Sequence, residues 1–189
     1  MKSEAERRRY EEYAYILDIL PHGRPGAPRY SARDGPLVQM VGERYFTLLE
    51  GVARKFVPIS VGERVYIGKA LREKVSRILG RVRYEDLTAA AKEELERVVE
   101  EIVKSNEERF VKFFNEAQPV TPKMHALELI PGIGKRYMWQ IIREREAKPF
   151  TSFDDVRNRT SIPDPVKIIV KRILEELMEA DRYHLFTAP

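Results

Sequence analysis

The spacing of apolar residues along this 189-residue chain changes twice, which divides it into three stretches. In the first, Tyr13 to Leu20 (YAYILDIL) is rich in aromatic and β-branched residues and stops at the turn signal Pro21-His22-Gly23. Arg24 to Gly35, with its prolines, glycines and arginines, reads as an exposed loop. Short apolar runs follow at Leu37 to Val41, Tyr45 to Leu49 and Arg64 to Ile67, and Ile78 to Tyr84 supplies one more after a helical piece around Ala70 to Arg77. About five short strands with glycine turns predict a small OB-like β-barrel domain over residues 1–85. The string Val-Gly-Glu-Arg stands before two of these runs, at Val41 and Val61, and is too short to define a repeat.

From Asp86 the period becomes three to four. Leu87, Ala91, Leu95, Val98, Val99, Ile102 and Val103 share one face of a helix that Thr88 is placed to cap, and Ser105-Asn106 interrupts it before Phe110, Phe113 and Phe114. Residues 86–117 therefore predict a long amphipathic connector whose stripe packs on the flanking domains. Residues 118–189 predict an all-α domain. Thr121 followed by Pro122 is a helix start, a capping side chain and then a ring already at helical φ. Pro131 ends that helix at Ile130, Gly132 and Gly134 permit a tight reversal, and a second helix carries Met138, Ile141 and Ile142 on one face. A second, degenerate unit follows: Pro149 to Val156 starts a capped helix, and Ile162-Pro163-Asp164-Pro165-Val166 reverses into a helix from Lys167 to Met178. The fold class is α+β, a β-barrel domain joined by the long helix to tandem helical hairpins.

The glycine turn carries the candidate chemistry. A reversal at Pro131-Gly132-Ile133-Gly134 leaves backbone N–H groups free at the start of a helix, where the helix dipole also favours an anion. Lys135 and Arg136 fall in the first turn of that helix, where a cation costs roughly 0.3–1 kcal/mol unless an anion is bound. Phosphate is the expected guest. The alternative is an ordinary αα-hairpin whose glycines only allow close helix packing, serving as a protein interaction module. In the second unit Asp164 is the expected cap, so a carboxylate takes the place a phosphate would need, and that hairpin is assigned to scaffolding.

Residues Leu127 to Ile142 resemble the helix-hairpin-helix family, whose pattern is an apolar residue, Pro-Gly, an apolar residue and Gly, with small and apolar positions later. Met138 departs from it, since the family has a small residue there. Over nearly the whole chain, Tyr13 to Asp18, Pro36 to Arg44, Gly62 to Lys69 and the hairpin are similar to an archaeal family of uncharacterised, predicted RNA- or nucleotide-binding proteins, domain of unknown function six-five-five. That resemblance implies the OB-like domain followed by tandem hairpins, with no established activity. Together with the barrel it sets RNA slightly ahead of DNA as the expected ligand, and a protein partner in translation or RNA processing is a further candidate.

Charge adds a second candidate surface. The net charge is +7 over residues 1–84, −5 over 85–117 and +2 over 118–189, an acidic spacer between two basic ends. Lys69, Arg72, Lys74, Arg77, Arg81 and Arg83 stand together against one acid, Glu73, as in a groove for a single strand. Tyr13, Tyr15, Tyr45 and Tyr66 are candidates for base stacking, though strands favour tyrosine for packing. Arg143, one turn beyond Trp139, joins the hairpin set, and Trp139 itself either flanks the nucleic acid or is buried against the neighbouring helix, with burial slightly favoured.

Other classes find little support. With no cysteine, the chain has no disulfide, thiolate metal site or cysteine nucleophile. His22, His125 and His184 lack metal-ligand spacing, so neither metal nor cofactor is expected. Lys135 and Asp154 are formal counterparts of the lysine and aspartate of hairpin-bearing base-excision glycosylases, but Asp154 is explained by its place at a helix start. No catalytic residue is assigned. No apolar run approaches the roughly 18–20 residues of a membrane helix, and Met1 to Tyr10 lacks a secretory apolar stretch, which predicts a cytoplasmic protein.

Overall fold

A computed structural model describes residues 9–27, 30–178 and 182–188, so most of the amino-terminal segment read above for a secretory signal lies outside them. The chain is mixed α+β. It divides within its first long helix: Val99–Glu176 forms one compact unit, and the described residues on either side form the other.

In the latter, strands β1 (Tyr13–Leu20), β2 (Leu37–Gly42), β3 (Leu48–Ala53), β4 (Arg64–Tyr66) and β5 (Val75–Arg81) form one antiparallel sheet of order β4-β1-β2-β3-β5. β4 and β5 are its two edges, so the sheet is a curled half-barrel and not a closed barrel. Alternation places Ala14, Ile16, Val38, Met40, Leu49, Val65 and Val75 in one shared core. The other face of β2 and β3 carries the buried cross-strand pair Gln39 and Glu50. Glu50 accepts from Gln39 Nε2 at 2.9 Å and from Arg24 Nη2 at 3.1 Å, which compensates its burial.

Two expectations shift here. No helical piece spans 70–77, because the chain runs through bends into β5, whose pairing with β3 outweighs the local helical preference. The third strand begins at Leu48 and not Tyr45. The buried Glu11 carboxylate accepts from the N–H groups of Arg44, Tyr45 and Thr47 at 2.9, 2.8 and 3.2 Å, which holds residues 43–45 as a turn.

Helix α1 (Ala89–Ser105) starts where Thr88 Oγ1 accepts from the Ala91 N–H at 3.0 Å, and the same hydroxyl donates to Asp18 at 2.6 Å. Asn106 interrupts the helix, its Nδ2 donating to the Ile102 carbonyl at 2.8 Å, and α2 (Glu107–Glu116) follows with Phe110, Val111 and Phe114 buried.

The largest departure lies at Thr121. The first arm of the hairpin is not a helix: Thr121-Pro122-Lys123 turns between two short strands, β6 (Pro119–Thr121) and β7 (Met124–His125), and only a 3-10 turn, Ala126–Leu129, precedes Pro131. Proline's fixed φ suits the second position of a turn as well as the first turn of a helix, so Thr-Pro is ambiguous alone. The start signal sits at His125, whose Nδ1 accepts from the Leu127 N–H at 3.1 Å while Glu128 accepts from the His125 N–H at 2.9 Å. That is a capping box with histidine in the usual hydroxyl position. Helices α3 (Lys135–Ala147), α4 (Phe153–Arg159) and α5 (Pro165–Leu177) complete the unit.

Candidate functional site

The turn between the 3-10 segment and α3 is built from alternate inward and outward residues. Ile130 and Ile133 are buried, whereas Gly132 and Gly134 face out. The Ile133 N–H donates to the Ile130 carbonyl at 3.0 Å, and Gly132 adopts φ +87°, which makes Pro131-Gly132 the centre of a type II turn that favours glycine in second place. Gly134 is the residue capping α3 and has no side chain to spend on the helix amides. Among the described residues no acceptor meets the N–H groups of Gly134, Lys135 or Arg136. A methyl group placed on Gly132 or Gly134 would touch nothing within 4 Å, so the turn lies open.

The surroundings of the turn are cationic. Lys135, Arg136 and Arg143 are exposed and none is ion-paired within the described chain. From beneath, Arg172 on α5 donates to the Leu129 carbonyl at 3.1 Å, and its Nε meets the Glu176 carboxylate at 2.9 Å with both side chains almost fully buried. Sequence reading missed Arg172, although its spacing of four from Glu176 is the available signal. It also missed Arg145, which donates to the Phe114 and Ala117 carbonyls at 3.2 and 2.9 Å and so caps the end of α2. Burial holds the Arg145 guanidinium below its ordinary pKa. Burial, assisted by the nearby Arg145 charge, likewise lowers the pKa of His125.

Trp139 is 60% exposed, contrary to the favoured burial. Met138 and Ile141 take the inward positions of α3, which turns Trp139 outward.

The basic segment in the half-barrel unit is differently disposed. Lys74 is ion-paired to Glu63, Arg77 to Asp34 at 3.1 Å, and Arg83 lies 3.5 Å from Asp86. Arg72 donates to the Gly68 carbonyl at 2.8 Å, Arg81 approaches the Arg9 carbonyl at 3.4 Å, and Lys69 lies 5.8 Å from the Tyr10 ring. The six cations are therefore largely engaged within the chain instead of lining an uncompensated groove. The tyrosines follow suit: Tyr15 is buried, Tyr13 packs edge to face on Tyr66 under the Arg64 guanidinium, and the Arg9 and Arg44 guanidiniums lie 5.6 and 5.3 Å from the Tyr45 ring. A cavity of 330 Å³ beside β4 is lined by Arg64, Val65, Tyr66, Leu71, Glu73 and Lys74.

In the second hairpin the helix starts are occupied. Ser152 accepts from the Asp155 N–H at 2.9 Å, and Asp164 accepts from the Lys167 N–H at 3.0 Å, as its position predicts. Asp154 pairs with Arg157 at 2.6 Å at the start of α4. Among the described residues no cluster of three metal-ligating side chains occurs, and no helix is long and apolar enough to cross a membrane.

Fold and site together define an α+β protein with a curled antiparallel half-barrel and a helical unit that presents one open glycine turn among unpaired cations. Residues 10–188 match the family described as protein of unknown function (DUF655), and the chain belongs to that family. It is 49% identical over 181 residues to the uncharacterized protein MJ0038 of Methanocaldococcus jannaschii, covering 95% of this chain and 81% of the relative. The crystal structure of Af1531 from Archaeoglobus fulgidus superposes with a TM-score of 0.84 at 50% identity, covering 94% of this chain and all of that one.

Proposed function

We propose that the chain binds the phosphate backbone of nucleic acid without sequence preference, RNA ahead of DNA, through Gly132, Gly134, Lys135 and Arg136. The observation that carries this reading is the open turn: unspent amides, two outward glycines and unpaired cations at one helix start. An oxyanion seated there would accept those N–H groups and offset the cost of Lys135 and Arg136 near the positive end of the helix. Backbone contacts of this kind position a protein on nucleic acid and carry no base information. In the same reading the half-barrel acts as an OB-like module, and the 3-10 turn with α3 followed by α4 and α5 is a reduced tandem of hairpins. Its second turn, filled by Asp164, has a scaffolding role.

Binding of labelled RNA at several salt concentrations tests this. Three unpaired cations give a log-log slope of about −2.7 on duplex DNA and about −2 on single strands. Lys135→Glu with Arg136→Glu should remove most of the affinity and flatten the slope while helix content is retained. Unchanged affinity in that variant would refute the reading.

A second reading, docking of a protein partner, draws on Phe56 and Leu71. They are 102% and 82% exposed, and Phe56 is held at φ 60°, on loops joined by the Arg54 N–H to Lys74 carbonyl bond of 2.7 Å. Phe56→Ser with Leu71→Ser should leave RNA binding intact under the first reading and abolish partner binding under the second.

A further inference from the structure

Along α3 the unpaired cations continue past the turn and bracket an exposed aromatic ring. Lys135, Trp139 and Arg143 are spaced by four residues, and Arg136 precedes Trp139 by three, so all four side chains fall on one side of the helix. At about 1.5 Å rise per residue, cations lie about 6 Å along the axis on either side of the indole. Trp139 is 60% exposed, although a tryptophan on a helix with a buried Met138 and Ile141 has apolar surface available inside. No ring contact or cation over its face occupies it among the described residues.

We infer that this face takes a single-stranded segment of nucleic acid, one unpaired base stacking on Trp139 while the flanking phosphates meet the glycine turn with Lys135 and Arg136 on one side and Arg143 on the other. The inference rests on the phosphate reading above and names its substrate class. A positive groove interleaved with an aromatic ring recognises single strands because every base offers a π face, whereas paired bases inside a duplex keep theirs stacked on one another. The charge on this side of α3 suits a polyanion: between Lys135 and Arg143 the sequence KRYMWQIIR carries no acid. An open neighbouring strand would complete two functions at once, with phosphates satisfying the amides and a base covering the indole.

Trp139 is the single tryptophan of the chain, so intrinsic fluorescence reports on it alone. Titration with a short oligouridylate should quench that emission and shift its maximum. An abasic oligonucleotide of equal length keeps the phosphates and should bind without comparable quenching. Trp139→Ala should weaken the oligouridylate by about 5- to 150-fold, with Trp139→Phe recovering part of the loss. The same Trp139→Ala change should leave affinity for a blunt duplex within about twofold, and circular dichroism checks that α3 remains folded. If oligouridylate binds but neither quenches Trp139 nor responds to Trp139→Ala, stacking is overturned and the phosphate reading stands. If Trp139 emission instead follows protein concentration in the absence of nucleic acid, the ring is covered by a second copy of the chain and the inference also falls. If neither oligouridylate, abasic strand nor duplex is bound, the phosphate reading itself has failed.

Discussion

Replacing Gly134 by aspartate separates helix capping from anion binding in one residue. Gly134 stands at the capping position with extended φ of −86° and ψ of −175°, which an aspartate adopts without strain, and open space surrounds it. The new carboxylate would accept from the amides at the start of α3 that now have no acceptor. Exchange of glycine for a capping side chain contributes a few tenths of a kcal/mol, and a negative charge at the positive helix end about 0.3–1 kcal/mol more. The sum is roughly 0.5–1.5 kcal/mol, or about 1–6 °C in Tm for a chain of this size. In the proposed reading the same substitution fills the seat of the phosphate. Losing charge-assisted hydrogen bonds worth about 1.5–3 kcal/mol should weaken nucleic acid about 10- to 150-fold. Thermal denaturation followed by circular dichroism reads the first effect, and fluorescence anisotropy with labelled RNA the second. A Gly134→Asp protein that is stabilised yet binds as before would show that these amides are not the anion site. One that is not stabilised would show that the amides are not available at all.

Three further outcomes follow from the same unit. Arg172→Met or Glu176→Gln alone leaves a buried charge without its partner and should cost about 3–5 kcal/mol, whereas Arg172→Met with Glu176→Leu should recover most of it; additive losses in urea unfolding would contradict the pairing. His125 is neutral as a cap and its pKa is lowered from 6.5, so the unfolded chain binds more protons between the two values. Its stability contribution is present above about pH 6.5 and is lost as pH falls through the folded value, so His125→Asn, which cannot titrate, should show a smaller loss between about pH 7 and pH 5. Gly132→Ala meets no steric obstacle but must hold φ near +87°, which should cost about 1–2 kcal/mol, unlike Gly134→Ala, whose φ is ordinary; equal costs would argue against the turn geometry.

The legible parts of the sequence were those where one physical signal dominates. Tyr13 to Leu20 and Leu37 to Val41 are short apolar runs flanked by turns, and both are strands. Thr88 and Asp164 cap the helices they precede, and the capped start expected over 149–156 falls on Ser152; each offers an oxygen three residues before an unsatisfied amide. Where two signals compete, the reading failed. Ala70 to Arg77 has helical composition, yet β3 lacks a partner on that side and recruits Val75 to Arg81 as an edge strand. Thr121-Pro122 fits a turn as well as a helix start, and the decisive residue, His125, is not a usual cap. The basic segment carries less free charge than its composition suggests for a different reason: Glu63 and Asp34, which pair with Lys74 and Arg77, lie outside the counted stretch, and Asp86, which lies near Arg83, falls three residues beyond its end. Trp139 was open between two placements because a helix stripe is about 100° wide, and a residue at its edge goes inward or outward according to neighbours that the pattern does not specify.

The three helices that close the unit differ at their starts. α4 begins with Ser152 on its amides and Asp154 and Asp155 in its first turn, and α5 begins with the Asp164 carboxylate on the Lys167 amide. Both follow the electrostatic preference for negative charge at this end. α3 reverses it, with a bare glycine followed by Lys135 and Arg136. Left empty, that arrangement costs stability by about 0.6–2 kcal/mol for two cations, a large share for a fold whose total margin is about 5–15 kcal/mol. A packing role for the glycines does not account for the cost, because among the described residues nothing lies within 4 Å of a methyl group placed on either of them. The proposed anion would account for it, and makes a prediction that a packing motif does not: inorganic phosphate or sulfate should raise the Tm of the wild-type chain more than an equal ionic strength of chloride. The excess should vanish in Gly134→Asp, where the seat is already filled. An excess that persists in that variant would place the stabilising anion elsewhere on the molecule and remove the energetic case for this turn.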